Sequence, residues 1–467
     1  MAITNSERNS SLWISKLWKF FLIAVTCLHL AAAQCSTPEC EAFLHGPNQP
    51  RETTERPFIR DVATTPAPVR IYFPDETKNL KIPSEYFDAK LFQFMSRSAK
   101  DQNFCISPLS VQILLTFLST VSEGKLHDEL SQLLNLPNNE TLVAQTYQKL
   151  IKVSTENSDA NNTIIIANKL YYDERYGILQ KNIRDKANDI YATDLETVDF
   201  LMPTKASDKI NFWVADRTRH LINNICTPDS IRSDTMALLI NTLYFKSEWE
   251  KKFALYDTDM RPFKLNRQTQ ILVETMYTED VFRYGEFEHL EATVLEIPYK
   301  LNDFSMMIIL PNDIEGLPEV EKRLTETTLK LISFRLNQHE VIAKIPKFNI
   351  EFDVDMIPTL QQLGLHSLFN NESSINIFKH KSKPLVVDQM RHKTVINVNE
   401  AGTEAAATTF AKIVPLSIPV GLKRFTADHP FIFVIRNSNA VYFMGHVVKL
   451  KENLPPVYVF RNENVCA

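Results

Sequence analysis

The residues of this sequence that are most able to take part in a reaction surround one peptide bond near the C-terminal end, between Leu416 and Ser417. Pro415 and Pro419 flank this bond, and each proline ring fixes its own backbone φ angle. The sequence therefore predicts a segment that presents the Leu416–Ser417 bond, exposed and in an extended frame.

The residues before this bond alternate with the period of a β-strand. Small or apolar side chains recur at every second position and would face a core: Thr403, Ala405, Ala407, Thr409, Ala411 and Ile413. The intervening set is more polar: Glu404, Ala406, Thr408, Phe410 and Lys412. Gly402, one of only 9 Gly in the chain, supplies a flexible position ahead of them. The pattern fits a segment able to enter a sheet, and from spacing alone a helix is an equally good interpretation.

The sequence contains no motif that indicates catalysis by the chain itself. The 11 His are scattered without the H-E-x-x-H spacing of a metal site, and no C-x2-C pair occurs. Neither a G-x-S-x-G nucleophile motif nor a phosphate-binding loop is present. The net charge of −5 and the lack of a long basic run indicate no nucleic-acid partner. We expect no enzyme activity, no cofactor and no metal.

The N-terminus predicts secretion. Lys16 and Lys19 precede an apolar run over residues 20–30, which ends at Ala31–Ala33 with the A-x-A form of a signal-peptide cleavage site. The run is too short to span a bilayer comfortably, so no membrane association is expected, although the long basic region leaves a signal anchor as the alternative. We predict a signal peptide over 1–33 and a flexible Pro- and Thr-rich extension over 34–83.

Cysteines and glycosylation motifs agree with an extracellular protein. The spacing of Cys35 and Cys40 allows a small disulfide loop, whereas Cys105 lies in an apolar setting typical of a buried thiol. The pairing of Cys226 and Cys466 is left open, and Cys466 is a candidate for pairing between chains. Three N-x-[ST] motifs predict glycans on a secreted chain, at Asn139, Asn161 and Asn371.

Helical patterns dominate the first half of the chain and strand patterns the second, which predicts an α+β fold. Ser84 is positioned to cap a helix that places Phe87, Leu91, Phe94 and Met95 on one face. Two further helices are predicted, a buried one over 111–121 and one over 209–222 with Ile210, Trp213, Val214 and Leu221 inward. Strands are predicted over 195–200, 238–245, 294–298, 304–310, 342–348 and 351–354, and a buried strand that includes Val395 and Ile396.

Five segments, in the right order, resemble signatures of the serpin (serine protease inhibitor) superfamily. They are NFCISPLS at 103–110, NTLYFKSEW at 241–249, EAGTEAAAT at 400–408, FTADHPFIF at 425–433 and FMGHV at 443–447. The likeness extends over about 84–450. Ser247 departs from the usual Gly, which could alter the local backbone, and Ala401 replaces a residue that is commonly charged. The long N-terminal arm and the Leu-Ser bond look most similar to invertebrate haemolymph serpins of the insect Necrotic type.

The resemblance implies a serpin fold of about nine helices around three β-sheets, over residues 84–452, followed by a tail over 453–467. It implies an exposed reactive-centre loop at about 400–420, cut after Leu416, the fourteenth residue beyond Gly402. Leu suits the apolar S1 pocket of a chymotrypsin-, elastase- or cathepsin-like enzyme. The hinge of this loop would comprise Glu400, Gly402, Thr403, Glu404, Ala405, Ala406, Ala407 and Thr408.

The implied mechanism is suicide inhibition by a monomer. A serine protease forms an acyl-enzyme with Leu416, and the cut loop then enters the central sheet as a new strand. The resemblance also implies a buried polar latch behind that sheet, made by Ser107, Ser110, Asn241 and His392. Trp249 would lie where the loop enters, although ordinary core packing is an equal interpretation. The alternative is a non-inhibitory serpin that acts as a carrier or chaperone, and the small hinge residues disfavour it.

Overall fold

The computed structural model describes residues 83–156, 159, 161–301, 303–324, 329–379, 384–403 and 421–452. Within these residues, nine α-helices occur, six before residue 220 and three after residue 315. They are α1 (Glu85–Ser98), α2 (Pro108–Thr120), α3 (Gly124–Leu134), α4 (Glu140–Glu156), α5 (Lys181–Tyr191), α6 (Pro203–Arg217), α7 (Leu317–Arg323), α8 (Leu329–Arg335) and α9 (Ile357–Gln362). None of the described helices is both long and apolar enough to cross a membrane.

Strands alternate with these helices and then dominate, as an α+β fold requires. They are β1 (Phe104–Ile106), β2 (Thr163–Asp173), β3 (Thr193–Val198), β4 (Ala237–Glu248), β5 (Asp259–Lys264), β6 (Gln270–Phe287), β7 (Ala292–Pro298), β8 (Ser305–Pro311), β9 (Asn337–Pro346), β10 (Phe348–Asp355), β11 (Val387–Asn399), β12 (Gly402–Thr403), β13 (Lys423–Thr426), β14 (Phe431–Arg436) and β15 (Val441–Val447).

The first two helices each begin after a capping serine, α1 where it was predicted and α2 three residues before its predicted start at residue 111. The Ser84 hydroxyl accepts a hydrogen bond from the Phe87 N–H, and Leu91 and Met95 on the same face of α1 are buried. Ser107 caps α2 in the same way, and Pro108 occupies the first helical position, where its missing N–H has no intrahelical partner to lose. Helix α2 is buried on nearly every side, as its apolar composition predicts.

The prediction for the third helix is wrong at both ends. Helix α6 begins at Pro203 and ends at Arg217, instead of spanning 209–222. Arg219 and His220 adopt the left-handed conformation, with φ of 50° and 61°, so the chain turns away before Leu221, which is exposed. Ile210 and Val214 face inward as expected, and they pack against the sheet that α6 covers.

The six-stranded sheet positions the predicted loop. Its order is β10-β11-β12-β4-β2-β3, and β11 also pairs directly with β4. Those two strands run parallel, from Val387 opposite Ala237 to Thr394 opposite Leu243. Strands β2 and β4 are antiparallel over ten residue pairs, from Thr163 opposite Lys246 to Tyr172 opposite Ala237. The predicted strand that contains Val395 and Ile396 is therefore a central member of this sheet.

The remaining nine strands form one hydrogen-bonded network, whereas three separate sheets were expected in all. Its order is β1-β15-β14-β8-β7-β6-β9-β13, with β5 paired to β6. The 18-residue strand β6 is the reason, because its last residues pair with β7 while its earlier residues pair with β5 and β9. One continuous strand thus joins what would be two sheets. Strands β14 and β15 are wholly buried, and β15 packs beneath α1 and α2.

Candidate functional site

The first residues of the predicted loop already lie inside the six-stranded sheet. Gly402 and Thr403 form strand β12, which pairs antiparallel with β11 on one side and with β4 on the other. Thr403 lies opposite Val398 and Ser247, at the end of the sheet where β11 and β4 no longer pair with each other. A chain that continued in the direction of β12 would have to separate the β11–β4 pairing below it.

Gly402 is required at this point by close backbone approach. Its φ is +150°, and a Cβ atom added to it would lie 2.1 Å from the Ser247 carbonyl oxygen. No side chain can occupy that space without moving the end of β4. Ser247, which stands where a Gly was expected, continues strand β4 without a break and donates its hydroxyl to Asn162 Oδ1 over 2.9 Å. A serine at position 247 therefore adds a hydrogen bond and leaves the strand regular.

Two stacked aromatic rings hold the entry point of the loop. The Trp249 and Tyr299 rings are nearly parallel, with centroids 4.4 Å apart. The Tyr299 hydroxyl lies 2.8 Å from Thr403 Oγ1, and the Trp249 indole N–H donates to the Asn399 carbonyl over 2.9 Å. Trp249 is thus both a packed core residue and a direct contact of the segment that leads into β12, so its two predicted interpretations are compatible.

Glu400 anchors the turn between β11 and β12. This carboxylate is buried, accepts a hydrogen bond from the Thr258 hydroxyl over 2.9 Å and lies 3.3 Å from Lys347 Nζ. Its neighbour Ala401 is 1% exposed, and its carbonyl accepts the Trp249 backbone N–H. A charged side chain at position 401 would be buried here without a partner, which gives a physical reason for the Ala.

The four residues predicted to form a polar latch lie together behind β4 and β11. Asn241 Oδ1 accepts from the Ser110 hydroxyl over 2.9 Å and from His392 Nδ1 over 2.5 Å. The Ser107 backbone N–H donates to His392 Nε2 over 3.0 Å, and the Ser107 hydroxyl caps α2 at Ser110. All four are completely buried. They connect α2 to the two strands β4 and β11.

A fifth member of this cluster, Asn168, was missed by the sequence analysis. The Asn241 side-chain amide donates to Asn168 Oδ1 over 2.5 Å, and the Asn168 amide donates to the Ser110 carbonyl over 3.4 Å. Asn168 is buried in β2, so the cluster bridges three strands. The available signal was an asparagine inside the mostly apolar run TIIIANKLYY. Buried polar groups that satisfy each other in this way make a single cooperative unit.

The hydrogen bonds determine the protonation state of His392. Its Nε2 accepts from the Ser107 N–H, so the one ring proton of the neutral imidazole is on Nδ1 and points to Asn241. Burial lowers the pKa of His392 to about 3. A second ring proton would face the Ser107 N–H across 3.0 Å, which explains in structural terms why the charged form is disfavoured.

This geometry is accompanied by a family match that covers most of the chain. A family model described as serpin (serine protease inhibitor) matches residues 84–450. The chain is a serpin. It is 34% identical over 362 residues to Serine protease inhibitor 42Dd of Drosophila melanogaster, a match that covers 77% of this chain and 94% of that protein. It is 30% identical over 368 residues to Antichymotrypsin-2 of Bombyx mori, with 78% of this chain and 97% of that protein covered.

A solved serpin has the same fold. Serpin48 of the insect Tenebrio molitor matches with a TM-score of 0.73 and 29% identity, over 81% of this chain and 100% of that one. The predicted α+β serpin fold is confirmed. The narrower likeness to the insect Necrotic type stays a prediction, as do the roles of the individual site residues.

Several predicted features of this serpin lie outside the described residues. They are the signal peptide, the extension over 34–82, the tail over 453–467, Leu416 and Ser417, the hinge residues Glu404, Ala405, Ala406, Ala407 and Thr408, and the remaining cysteines Cys27, Cys35, Cys40 and Cys466. The three candidate glycosylation sites do lie within the described part, and Asn139, Asn161 and Asn371 are all exposed. All three side chains are therefore accessible from the surface.

The two described cysteines of this serpin, Cys105 and Cys226, are free and buried. Burial raises the pKa of the Cys105 thiol to about 12, so this side chain stays protonated at neutral pH. Burial also raises the pKa of Cys226. Both behave as small core residues, as was expected for Cys105. In the same described regions, no three His, Cys, Asp or Glu side chains cluster in a way that would hold a metal ion.

The stability of this serpin is expected to fall as acid protonates His392. The pKa of His392 lies below its unfolded value of about 6.5, so the unfolded chain binds the proton first. The contribution of the neutral His392 side chain to the free energy of unfolding is complete above about pH 6.5. It is lost as the pH falls towards 3, by about 1.4 kcal/mol per pH unit. Urea unfolding at pH 7.5, 6.0 and 5.0 measures this slope.

His392→Gln removes the titrating group. The free energy of unfolding of this variant is therefore expected to change less with pH than that of the unmodified chain, and the two slopes are expected to differ by about 1.4 kcal/mol per pH unit. The matched control is His366→Gln, because His366 has an exposed side chain, and its slope is expected to be unchanged. Equal slopes for His392→Gln and the unmodified chain would contradict the neutral buried assignment.

Proposed function

We propose that this serpin is a secreted suicide inhibitor of a serine protease with an apolar S1 pocket. The observation that carries the proposal is strand β12, because the loop residues Gly402 and Thr403 are already paired between β11 and β4. An inhibitor that traps its target by strand insertion needs such a starting point. The small residues that follow, from Ala405 to Ala407, suit rapid entry into a packed sheet.

The trapping reaction is proposed to begin as ordinary proteolysis. The protease serine attacks the Leu416 carbonyl, the Leu416–Ser417 bond breaks, and the amine of Ser417 leaves with a proton from the protease histidine. The acyl-enzyme so formed is joined to the loop at Leu416. Insertion of about thirteen residues beyond β12 into the sheet, at about 3.3 Å per residue, would carry the enzyme about 43 Å. Distortion of the enzyme then stops deacylation.

Leu416 favours an enzyme with an apolar specificity pocket. A trypsin-like pocket presents a buried carboxylate, and Leu416 has no cation to pair with it. The related Bombyx mori protein is named an antichymotrypsin, which supports a chymotrypsin-like target. Lys412 is the nearest basic alternative, but cleavage there would shorten the segment available for insertion and would favour simple hydrolysis.

Secretion and glycosylation are part of the proposal. The signal-peptide pattern supports export, and the exposed Asn139, Asn161 and Asn371 are open to glycan attachment. An extracellular inhibitor of this class suits control of a protease cascade in immunity or clotting. The expected partner is the protease itself, held covalently by a serpin monomer.

The test starts from the full chain expressed in insect cells and recovered from the medium. It is incubated with chymotrypsin, neutrophil elastase and trypsin, and the products are analysed by denaturing electrophoresis and mass spectrometry. We expect denaturant-resistant adducts with chymotrypsin or elastase, and a released peptide that begins at Ser417. A carrier or chaperone without inhibitory function would instead give cleavage with no adduct and no rise in thermal stability after cleavage, and that result would overturn the proposal.

A further inference from the structure

The described part of the chain ends beside an open groove between the two sheets. This groove has a volume of about 480 Å³, within the size range of clefts that bind a ligand. Val273 of β6 lines one side of it, and Phe348 of β10 and Val398 of β11 line the other. Residues 449–451 also line the groove, so the segment that follows Glu452 starts at its edge.

Hydrogen bonds to Asn103 fix the direction in which the chain reaches this groove. Asn103 Oδ1 accepts the backbone N–H groups of Val448 and Lys449 over 2.8 and 2.9 Å, and its amide donates to the Lys449 carbonyl over 2.6 Å. Leu450 then packs against the hydrophobic core. The starting point of the next segment is therefore set by the fold.

The floor of the groove is apolar and its rim is polar. Val273, Phe348 and Val398 are 3%, 4% and 1% exposed, whereas Asn397 is an exposed asparagine that also lines the groove. An apolar floor suits a large side chain. An amide at the rim can both donate to and accept from a peptide backbone, whose own N–H and C=O groups need partners. This combination fits a short extended peptide.

The residues after Glu452 have the composition of a packed strand. Pro455 and Pro456 disfavour a helix, and the run Val-Tyr-Val-Phe follows at 457–460. Solvated segments are usually poor in aromatic and β-branched residues, so this run is expected to need a packing partner. The serpin family model ends its match at residue 450, so the likeness to the family does not account for this run.

We propose that residues 457–460 dock in this groove and so brace the end of β11. The period of an extended chain places the rings of Tyr458 and Phe460 on one face, and this face packs on the apolar floor. Five residues separate Glu452 from Val457 and can span about 17 Å, which is enough to turn back onto a groove that residues 449–451 already line. A tether this short gives an effective concentration on the order of millimolar, so weak contacts are sufficient.

The braced end of β11 is the one that leads into β12. Val398 is the register partner of Thr403, so a ring packed on Val398 also supports the strand pair that contains Thr403. Lys347, another residue of the groove, lies 3.3 Å from the buried Glu400 carboxylate in the turn between β11 and β12. A docked segment therefore restrains this turn in the intact, uncleaved chain.

Photo-cross-linking in the full chain tests the contact directly. Phe460→p-benzoylphenylalanine puts a photoreactive ring at the proposed docking position, and mass spectrometry identifies the linked peptides. We expect links within one chain to peptides that contain 270–274, 347–349 or 397–398. The matched control is Asn464→p-benzoylphenylalanine, which lies about 13 Å further along an extended chain and is expected to link to these peptides at least about fivefold less.

Hydrogen exchange of the full chain tests the bracing. Phe460→Ser is expected to raise the exchange rates of backbone N–H groups over 395–400 at least about threefold, because the packing of one ring on the end of β11 is lost. Tyr458→Ser is expected to have a similar effect. Asn464→Ser is the control in the same segment and is expected to leave these rates unchanged.

Two results would overturn the proposal. The first is a set of links from position 460 that shows no more preference for the groove peptides than the control position does, or that joins position 460 to a second copy of the chain. The second is equal exchange over 395–400 in Phe460→Ser and Asn464→Ser. Neither measurement involves a protease, so failure of the docking proposal and failure of the inhibitor proposal are distinguishable.

Discussion

Thr403→Arg is expected to convert this serpin from an inhibitor of its target into a substrate. Thr403 is 1% exposed, lies between β11 and β4, and contacts the Tyr299 hydroxyl. An arginine there would have to bury a guanidinium without a partner, which costs several kcal/mol, so we expect it to displace residue 403 from the sheet and to make its re-entry part of the insertion barrier. An increase of only about 1.4 kcal/mol in the insertion barrier slows insertion tenfold, and deacylation then overtakes it.

The measurement is the ratio of adduct to cleaved product after reaction with chymotrypsin, read on a denaturing gel. Cleavage after Leu416 is expected to continue, and the adduct is expected to fall at least about tenfold. Thr403→Ser keeps the hydroxyl and the small volume, so it is the matched control and is expected to inhibit normally. A Thr403→Arg adduct at the level of the control would contradict insertion through this position.

Asn241→Leu is expected to destabilise the native sheet by about 3 kcal/mol or more, because it leaves several buried groups unpaired. Asn241 accepts from Ser110 and His392 and donates to Asn168. Leu has the same branching and the same number of side-chain heavy atoms as Asn but offers none of these bonds. The hydrogen bonds that are lost join β2, β4 and β11, so we also expect the β11–β4 pairing to open more readily.

The shift is read from urea unfolding midpoints at pH 7.5, with the pH held above the titration of His392. Asn349→Leu is the matched control, since Asn349 is an exposed asparagine on strand β10, and a change within about 0.5 kcal/mol is expected there. Similar destabilisation by the two substitutions would show that the buried cluster contributes no more than a surface asparagine.

The expected effects of Thr403→Arg and Asn241→Leu both depend on the point in the central sheet where β11 and β4 stop pairing directly with each other. Strands β11 and β4 pair directly up to Thr394 and Leu243, and β12 occupies the space beyond them. The polar cluster lies within the paired part, because His392 and Asn241 are register partners. Substitution of Thr403 tests the proposed entry of the loop, and substitution of Asn241 tests how strongly β11 and β4 resist separation.

Much of this architecture was predictable because it depends on local order. Ser84 precedes an apolar helical run, so the start of α1 followed from capping, whereas α2 begins at its Ser107 cap, three residues before the predicted start. The end of α6 was not predictable, because left-handed conformations at Arg219 and His220 leave no mark in residue types that also suit a helix. The fusion of two expected sheets through β6 was likewise unpredictable, since pairing partners are chosen in three dimensions.

By itself, the sequence indicated the family and the part of β11 around Val395 and Ile396, because both depend on consecutive residues. The hinge and the Leu416–Ser417 bond follow from the same kind of local pattern and stay predictions. Only the tertiary structure decided which distant groups meet them. Tyr299 contacts Thr403 across 104 residues of chain, and Asn168 reaches Asn241 across 73. Such contacts arise when strands close on each other, and the burial that makes them strong exists only in the folded sheet.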